Sequence, residues 1–475
     1  MRKTKIIATI GPASQDPAVL EQLVEAGMDA ARLNVSHGTL QEHGEVIDVL
    51  RRLRQDGGRF VAIMEDLGGA KLRLGRVRGN FRINVGETID LVPEPSSHRR
   101  DALPFPHPEV MRRLRPGSRV FIADGTISLE VTEAPGPAVR TRVTRGGIVS
   151  SLKGVNVPGV DLDQPLVTER ERAAIRFGVE HEVDWLAISF VRRADEVREV
   201  RDYVGQCGGE IPIVAKLERP EAIENLDAIV KEAEAVMVAR GDLGVELPMA
   251  TLPVVQKQIV AKANDVGRPS IIATQMLRSM MVTPVPTRAE VSDICTAVLD
   301  GCDAILLSDE TAIGEYPVEA VRVARATIEE SEKIYPYYKP LPARDRTQAI
   351  AGAAASLVKS LDSHPMVVTS TGRAAFEVSR FRPSTDILVF SHDEAILRRV
   401  CLGWGLVPVS VIPAERDIPR LVSMVVKAAV DSGQVSPVDT VTIVHGFLTG
   451  VSGTTSTIQV LNLKDYLAGA PEGPP

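Results

Sequence analysis

Lys216 and Glu218 stand two apart in the apolar run IPIVAKLERPE, so on a strand they share a face. A second run, Ala235 to Val238, ends abruptly in Ala239-Arg240-Gly241-Asp242-Leu243-Gly244. Its glycines let the backbone turn tightly and approach a bound group. Asp242 stands where a carboxylate can ligate a hard cation or cap the next helix. Two neighbouring strands ending in Lys-x-Glu and in Asp read as one shared site, although a structural Lys–Glu pair is the plainer use of the first. Arg32, Asn34 and Ser36 alternate in ARLNVS and also share a face. Thr274 and Gln275 end the run SIIATQ, and Ser308 and Glu310 end AILLSDE, where structural hydrogen bonding is their expected work.

These residues need elements to hold them. Eight short apolar runs recur with polar tips, at 5 to 11, 30 to 38, 60 to 68, 185 to 190, 212 to 218, 235 to 242, 270 to 276 and 304 to 312. Helical spacing follows most of them, as in DPAVLEQLVEAG and PVEAVRVARATIEESEKI. Strands without alternation are buried on both faces, and β then α eight times predicts a closed (β/α)8 TIM barrel. A doubly wound open sheet is the alternative. Functional-looking residues at nearly every strand end favour the barrel, which gathers them on one rim.

Residues 72–153 break the pattern with β-branched alternation and Gly and Pro turns, and predict an inserted small β-barrel lid domain. The barrel then comprises 1–71 and 154–342, and prolines 336, 340 and 342 mark a linker. A C-terminal α/β (Rossmann-like) domain spans 343–475, with strands in MVVTSTG, DILVFS, VPVSVI and TVTIVHG. In it Thr369-Ser370-Thr371-Gly372-Arg373 follows a strand and forms a candidate anion nest. The Gly/Ser/Thr-rich segment 446–456, with Gly453 and Thr454, can close over the same ligand or serve only as a flexible loop.

A chain of 475 residues is too long for one core and predicts two to four domains. Its 44% hydrophobic and 25% charged residues fit a globular protein, and a net charge of −7 argues against a dedicated nucleic-acid binder. No apolar run approaches the roughly 20 residues of a membrane span. Cys207, Cys295, Cys302 and Cys401 show neither CxxC nor metal-ligand spacing, which points to buried, reduced thiols in a cytoplasmic protein.

The segments TKIIATIGPAS, ARLNVSHG, SLKGVNVPG, VARGDLGVELP, ATQMLRSM, PTRAEVSD and DETAIGEYPVEAV, in this order, resemble the signature segments of the pyruvate kinase family. The resemblance implies a barrel that turns phosphoenolpyruvate and ADP into pyruvate and ATP with a divalent metal. Glu218 and Asp242 then ligate Mg2+ or Mn2+, whose remaining sites go to substrate oxygens and water. Lys216 meets the transferring phosphoryl group and the developing enolate oxygen. Arg32 holds the substrate phosphate. Thr274 lies beside the enol carbon, and the amides of Gly241 and Asp242 suit the substrate carboxylate. Pro12 and His37 border the nucleotide, and Arg73 and Lys153, at the two lid roots, reach it on closure. The resemblance also implies a homotetramer and a phosphorylated small-molecule effector at Thr369 to Arg373, Gly453 and Thr454.

One departure predicts behaviour. Where most family members have Asp-Thr-Lys-Gly-Pro-Glu, this chain has Asp66-Leu67-Gly68-Gly69-Ala70-Lys71. In potassium-requiring members the threonine and aspartate help hold K+; here Asn34, Ser36, Asp66 and Leu67 form a remnant pocket in which Lys71 replaces the cation. Exchanging a carboxylate for an ammonium adds roughly two positive charges, each worth about 4 kcal/mol against an anion at about 4 Å with an effective dielectric near 20. Activity without K+ is therefore expected. Asp309, Ile313 and Thr296 depart from the family's Gly, Lys and Asn without removing a metal or phosphate ligand. One other activity fits the rim residues, a metal-dependent lyase or aldolase acting on a pyruvate enolate, which needs no nucleotide clamp at Arg73 and Lys153; a weakly catalytic sugar-phosphate sensor is favoured only in a chain lacking Lys216, Glu218 or Asp242, and all three are present.

Overall fold

Eight parallel strands close into a barrel: β1 (Lys5–Ile10), β2 (Ala30–Asn34), β3 (Ala62–Leu67), β4 (Trp185–Ile188), β5 (Ile213–Leu217), β6 (Ala235–Ala239), β7 (Ser270–Ala273) and β8 (Ala304–Leu307). Each pairs with its neighbour in sequence, and β8 returns to β1. The computed structural model describes residues 2–57, 59–69, 71–123, 125–134, 136–160, 166–446, 453 and 455–469.

Period-two alternation sorts every barrel strand into two environments. Ile7, Ala30, Met64, Trp185, Ala187, Val214, Met237, Ile271 and Leu306 fill the lumen. Ile6, Leu33, Ile63, Leu186, Ile213, Val238, Ile272 and Ile305 pack outward against the helices. Burying each such large side chain contributes roughly 1.5–3 kcal/mol. The helices begin and end where local chemistry dictates. Asp16 accepts from Ala18 N at 2.9 Å to open Pro17–Ala26, and Gly27 closes it at φ 119°. Thr287 and Glu290 form a capping box for Arg288–Asp300.

Among the described residues, the insertion between β3 and β4 carries a six-stranded sheet and two two-stranded ladders. The edge strands of that sheet are Ala102–Pro104 and Val155–Asn156. The C-terminal unit holds β9 (His364–Val368), β10 (Ile387–Ser391), β11 (Leu406–Val411), β12 (Thr440–Gly446) and β13 (Thr455–Asn462) in the order β11-β10-β9-β12-β13. β13 is antiparallel to β12; it takes in the last two residues of the segment 446–456, read as a loop, and continues into residues that the sequence pattern left unassigned.

This unit is tied to the N-terminal end of the barrel. Arg382 Nη2 lies 3.1 Å from Asp303 Oδ2, Trp404 N donates to Asp303 Oδ1 at 3.1 Å, and Arg398 Nε lies 2.6 Å from Asp184 Oδ1. The opposite, C-terminal rim stays open for chemistry. Cys302 and Cys401 are buried as expected, whereas Cys207 and Cys295 are partly exposed. Among the described residues no helix is long and apolar enough to cross a membrane.

Candidate active site

The alternation that fills the lumen with apolar side chains continues one layer higher with polar ones. Thr9, Arg32, Asp66, Ser189 and Lys216 occupy this layer, and they form one connected network. Lys216 Nζ lies 3.1 Å from Asp66 Oδ1 and 3.2 Å from Glu218 Oε1, and donates to Ser189 Oγ at 2.6 Å. Arg32 Nε donates to Asp66 Oδ2 at 2.6 Å, while its Nη1 donates to Thr9 Oγ1 at 3.0 Å. Asp66 is thus the hub, with one oxygen on each cation. Ser189 Oγ in turn donates to the carbonyl of Leu67 at 2.6 Å.

Asp66, Lys216 and Glu218 are all buried, so their charges depend on one another. Burial would raise the Asp66 carboxyl, but Arg32 and Lys216 outweigh it and hold it below the usual carboxylate range. Burial would likewise lower Lys216, and Asp66 and Glu218 hold it above the ordinary lysine value as an ammonium. Burial pushes the Glu218 carboxyl up against the pull of Lys216, and the like charge of Asp242 adds to the rise. Glu218 Oε2 also accepts the amide of Phe190 at 2.8 Å.

Asp242 sits in the first turn of Arg240–Glu246, immediately after β6. Among the described residues no group of three or more His, Cys, Asp or Glu could hold a metal ion. Two mutually repelling carboxylates fit an Mg2+-like ion that takes its other ligands from phosphate and water. Backbone strain gathers on the same rim: Phe190, Thr274 and Gln275, the residues that follow β4 and β7, have φ of 60°, 72° and 56°. Side chains other than glycine adopt this region at a cost, and functional rims are where it persists.

Several expected residues lie otherwise than the sequence reading placed them. The Gly241 amide, assigned to a substrate carboxylate, donates to Thr274 Oγ1 at 2.8 Å. Lys71, expected among Asn34, Ser36 and Asp66, makes an ion pair with Asp242, at 3.3 Å. The reason is competition, since Asp66 already takes Arg32 and Lys216. Asn34 Oδ1 accepts the amide of Ser36 at 3.2 Å, and a Cβ at Gly68 would fall 1.9 Å from Ser36 Oγ. Leu67 points into the apolar outer shell. Pro12, His37, Arg73 and Lys153 are exposed, and Arg73 pairs with Gly154 as an isolated bridge at the lid root.

Ser189 and Thr9 escaped the sequence reading. Both occupy lumen-facing positions at strand ends, and alternation from Ala187 and Ile7 would have found them. Arg240 also acts structurally, donating to Thr274 O at 2.8 Å and pairing with Asp293 at 2.7 Å. Glu310 accepts the amides of Ser308 and Leu277, at 2.7 and 3.1 Å.

Ser370, Thr371, Arg373 and Arg399 of the C-terminal unit line a cavity of about 830 Å³ with Arg201 and Arg268 of the barrel, and the carboxylates of Glu210, Glu234, Glu377 and Asp393 share its wall. Thr369 is buried and accepts the amide of Gly372, which has φ 81°. The Gly453 carbonyl accepts from Arg346 at 2.7 Å, and Thr454 lies outside the described residues.

Two family descriptions match the chain: pyruvate kinase, barrel domain, over residues 1–321, and pyruvate kinase, alpha/beta domain, over 348–461. A pyruvate kinase of Agrobacterium vitis is 39% identical across 97% of each chain. One from Methylorubrum extorquens is 37% identical, again across 97% of both. One from Geobacillus stearothermophilus is 39% identical over 98% of this chain and 81% of its own.

Proposed function

This chain belongs to the pyruvate kinase family, and on that premise we propose that it moves the phosphoryl group of phosphoenolpyruvate to ADP, giving pyruvate and ATP. The observation that carries the reading is the buried Lys216 ammonium, held between Asp66 and Glu218 one strand from Asp242.

Glu218 and Asp242 would hold the divalent cation, Mg2+ or Mn2+. When bound, it offsets charge on the phosphate and on the enolate oxygen. Arg32 is fixed by Nε on Asp66 and Nη1 on Thr9, and its Nη2 would donate to a phosphate. Lys216 needs no reorganisation to meet the charge that develops as the phosphoryl group leaves. Thr274 Oγ1 accepts from Gly241, so its own proton is free to be passed, with water behind it, to the enol carbon. Pro12, His37, Arg73 and Lys153 border the nucleotide, and closure of the insertion 72–153 would exclude water from the phosphoryl donor.

Activity without K+ rests on Lys71, a positive charge built into the chain beside Asp242. Regulation rests on the cavity near Arg373, whose arginines, set among the carboxylates of Glu210, Glu234, Glu377 and Asp393, offer donors to a phosphorylated small molecule. A homotetramer is the assembly we propose, and exposed Met249, Val282 and Val285 offer apolar surface for it. A cytoplasmic location belongs to the same proposal. To test the transfer itself, ATP formed from phosphoenolpyruvate and ADP is measured in the native chain and in Glu218→Gln. Robust synthesis that Glu218→Gln abolishes supports the reading, and synthesis indifferent to that change refutes it.

A further inference from the structure

We propose that Lys71 is a displaceable counter-ion of the metal ligand Asp242, coupling metal entry to binding of the substrate phosphate. The proposal rests on the reading that Glu218 and Asp242 hold the divalent cation. Lys71 Nζ stands 3.3 Å from Asp242 Oδ1, and the two side chains are 29% and 23% exposed, so an ion from solvent can reach both. The stem of Lys71 runs over the lid's returning strand: a Cβ at Gly154 would fall 2.9 Å from Lys71 Cε. Gly154 is bridged to Arg73, so the lysine lies against both lid roots.

A carboxylate oxygen that ligates Mg2+ does so at about 2.0–2.1 Å. An ammonium held on the same oxygen would then face a divalent charge only a few ångströms away, and like charges at that distance repel strongly in a partly buried site. Metal entry therefore expels Lys71 from Asp242. Asp66 offers no vacancy, because one of its oxygens is on Arg32 and the other on Lys216. An arriving phosphate does offer a partner. Metal and phosphoenolpyruvate thus favour each other through one side chain, and linkage makes the effect reciprocal. Lys71 is a positioning residue in this scheme.

The test is Mn2+ binding to the full chain, followed by electron spin resonance without nucleotide, in the presence and absence of phosphoenolpyruvate. Removing the competitor in Lys71→Met, with Lys71→Gln as a second variant, tightens binding of Mn2+ alone by about five- to ten-fold and shrinks the enhancement by phosphoenolpyruvate by the same factor. Lys153→Met, which removes a charge from the other lid root, changes Mn2+ affinity by less than about two-fold if contact rather than distant charge is what matters. Unchanged Mn2+ affinity in both Lys71 variants overturns the proposal. Equal tightening in Lys153→Met overturns it as well. Mn2+ binding that survives Glu218→Gln unaltered overturns the metal site itself, and the proposal with it.

Discussion

The Lys216 ammonium lies 3.1 Å from Asp66 Oδ1, with the two side chains only 10% and 1% exposed. Neither charge is tenable alone at such burial, so each fixes the other in place. The second Asp66 oxygen holds Arg32, and one carboxylate therefore orients both cations of the site.

Lys216→Met removes the cation from between two buried carboxylates. Loss of a preorganised charge that meets the transition state lowers kcat by about 10²- to 10³-fold. Stability falls by about 3–5 kcal/mol, because Asp66 and Glu218 lose their shared partner. Steady-state kinetics and thermal unfolding of the same preparation check both, and a variant that loses activity without losing stability contradicts the coupled network.

Glu65 makes a different, pH-dependent prediction. It points into the outer shell against Gly178, is fully buried, and neither carboxyl oxygen has a hydrogen-bond partner among the described residues. Burial first, and then the charge of Asp66, pushes its pKa from 4.5 up to about 8. The folded state thus holds a proton that the unfolded chain releases at lower pH. The stability this gives is complete below pH 4.5 and is lost progressively as pH rises to about 8. Replacing the acid by an apolar side chain removes the penalty. Glu65→Leu should be more stable than the native chain above pH 8, by up to about 5 kcal/mol, with the advantage narrowing towards pH 5. A difference in Tm that stays constant between pH 5 and pH 8.5 contradicts this.

Much of the architecture was legible because strand periodicity and the two-residue spacing of Lys216 and Glu218 are local signals. Partnership was not legible. Asp66 reads in sequence as a remnant of a cation pocket, yet its partners Arg32 and Lys216 come from other strands, and only barrel closure brings them together. The same closure set Lys71 on Asp242 and turned the Gly241 amide to Thr274. β13 was missed because TSTIQVLN has a polar, half-exposed pattern and becomes a strand by pairing with β12. Glu65, alone on an apolar face, carries no pattern at all.

Lys71 also sets the response to monovalent ions. Rates in Na+, K+ and bulky-cation buffers should agree within about two-fold, because a charge of the chain replaces a bound one. A stimulation by K+ of an order of magnitude contradicts that role.

The cavity beside Arg373 predicts effector behaviour. In Arg373→Gln the concentration of a sugar-phosphate or nucleotide activator giving half-maximal effect should rise about ten-fold, the worth of one charge-assisted hydrogen bond. Titration of rate against each candidate checks this, and an unmoved midpoint for every activator argues against the cavity.

Pyruvate release from phosphoenolpyruvate with Mg2+ in potassium-free buffer, with and without ADP, tests phosphoryl transfer most directly. The arrangement of Lys216, Glu218 and Asp242 predicts fast release that requires ADP and yields one ATP per pyruvate. Release that proceeds equally without ADP, or none with or without added K+, would contradict it.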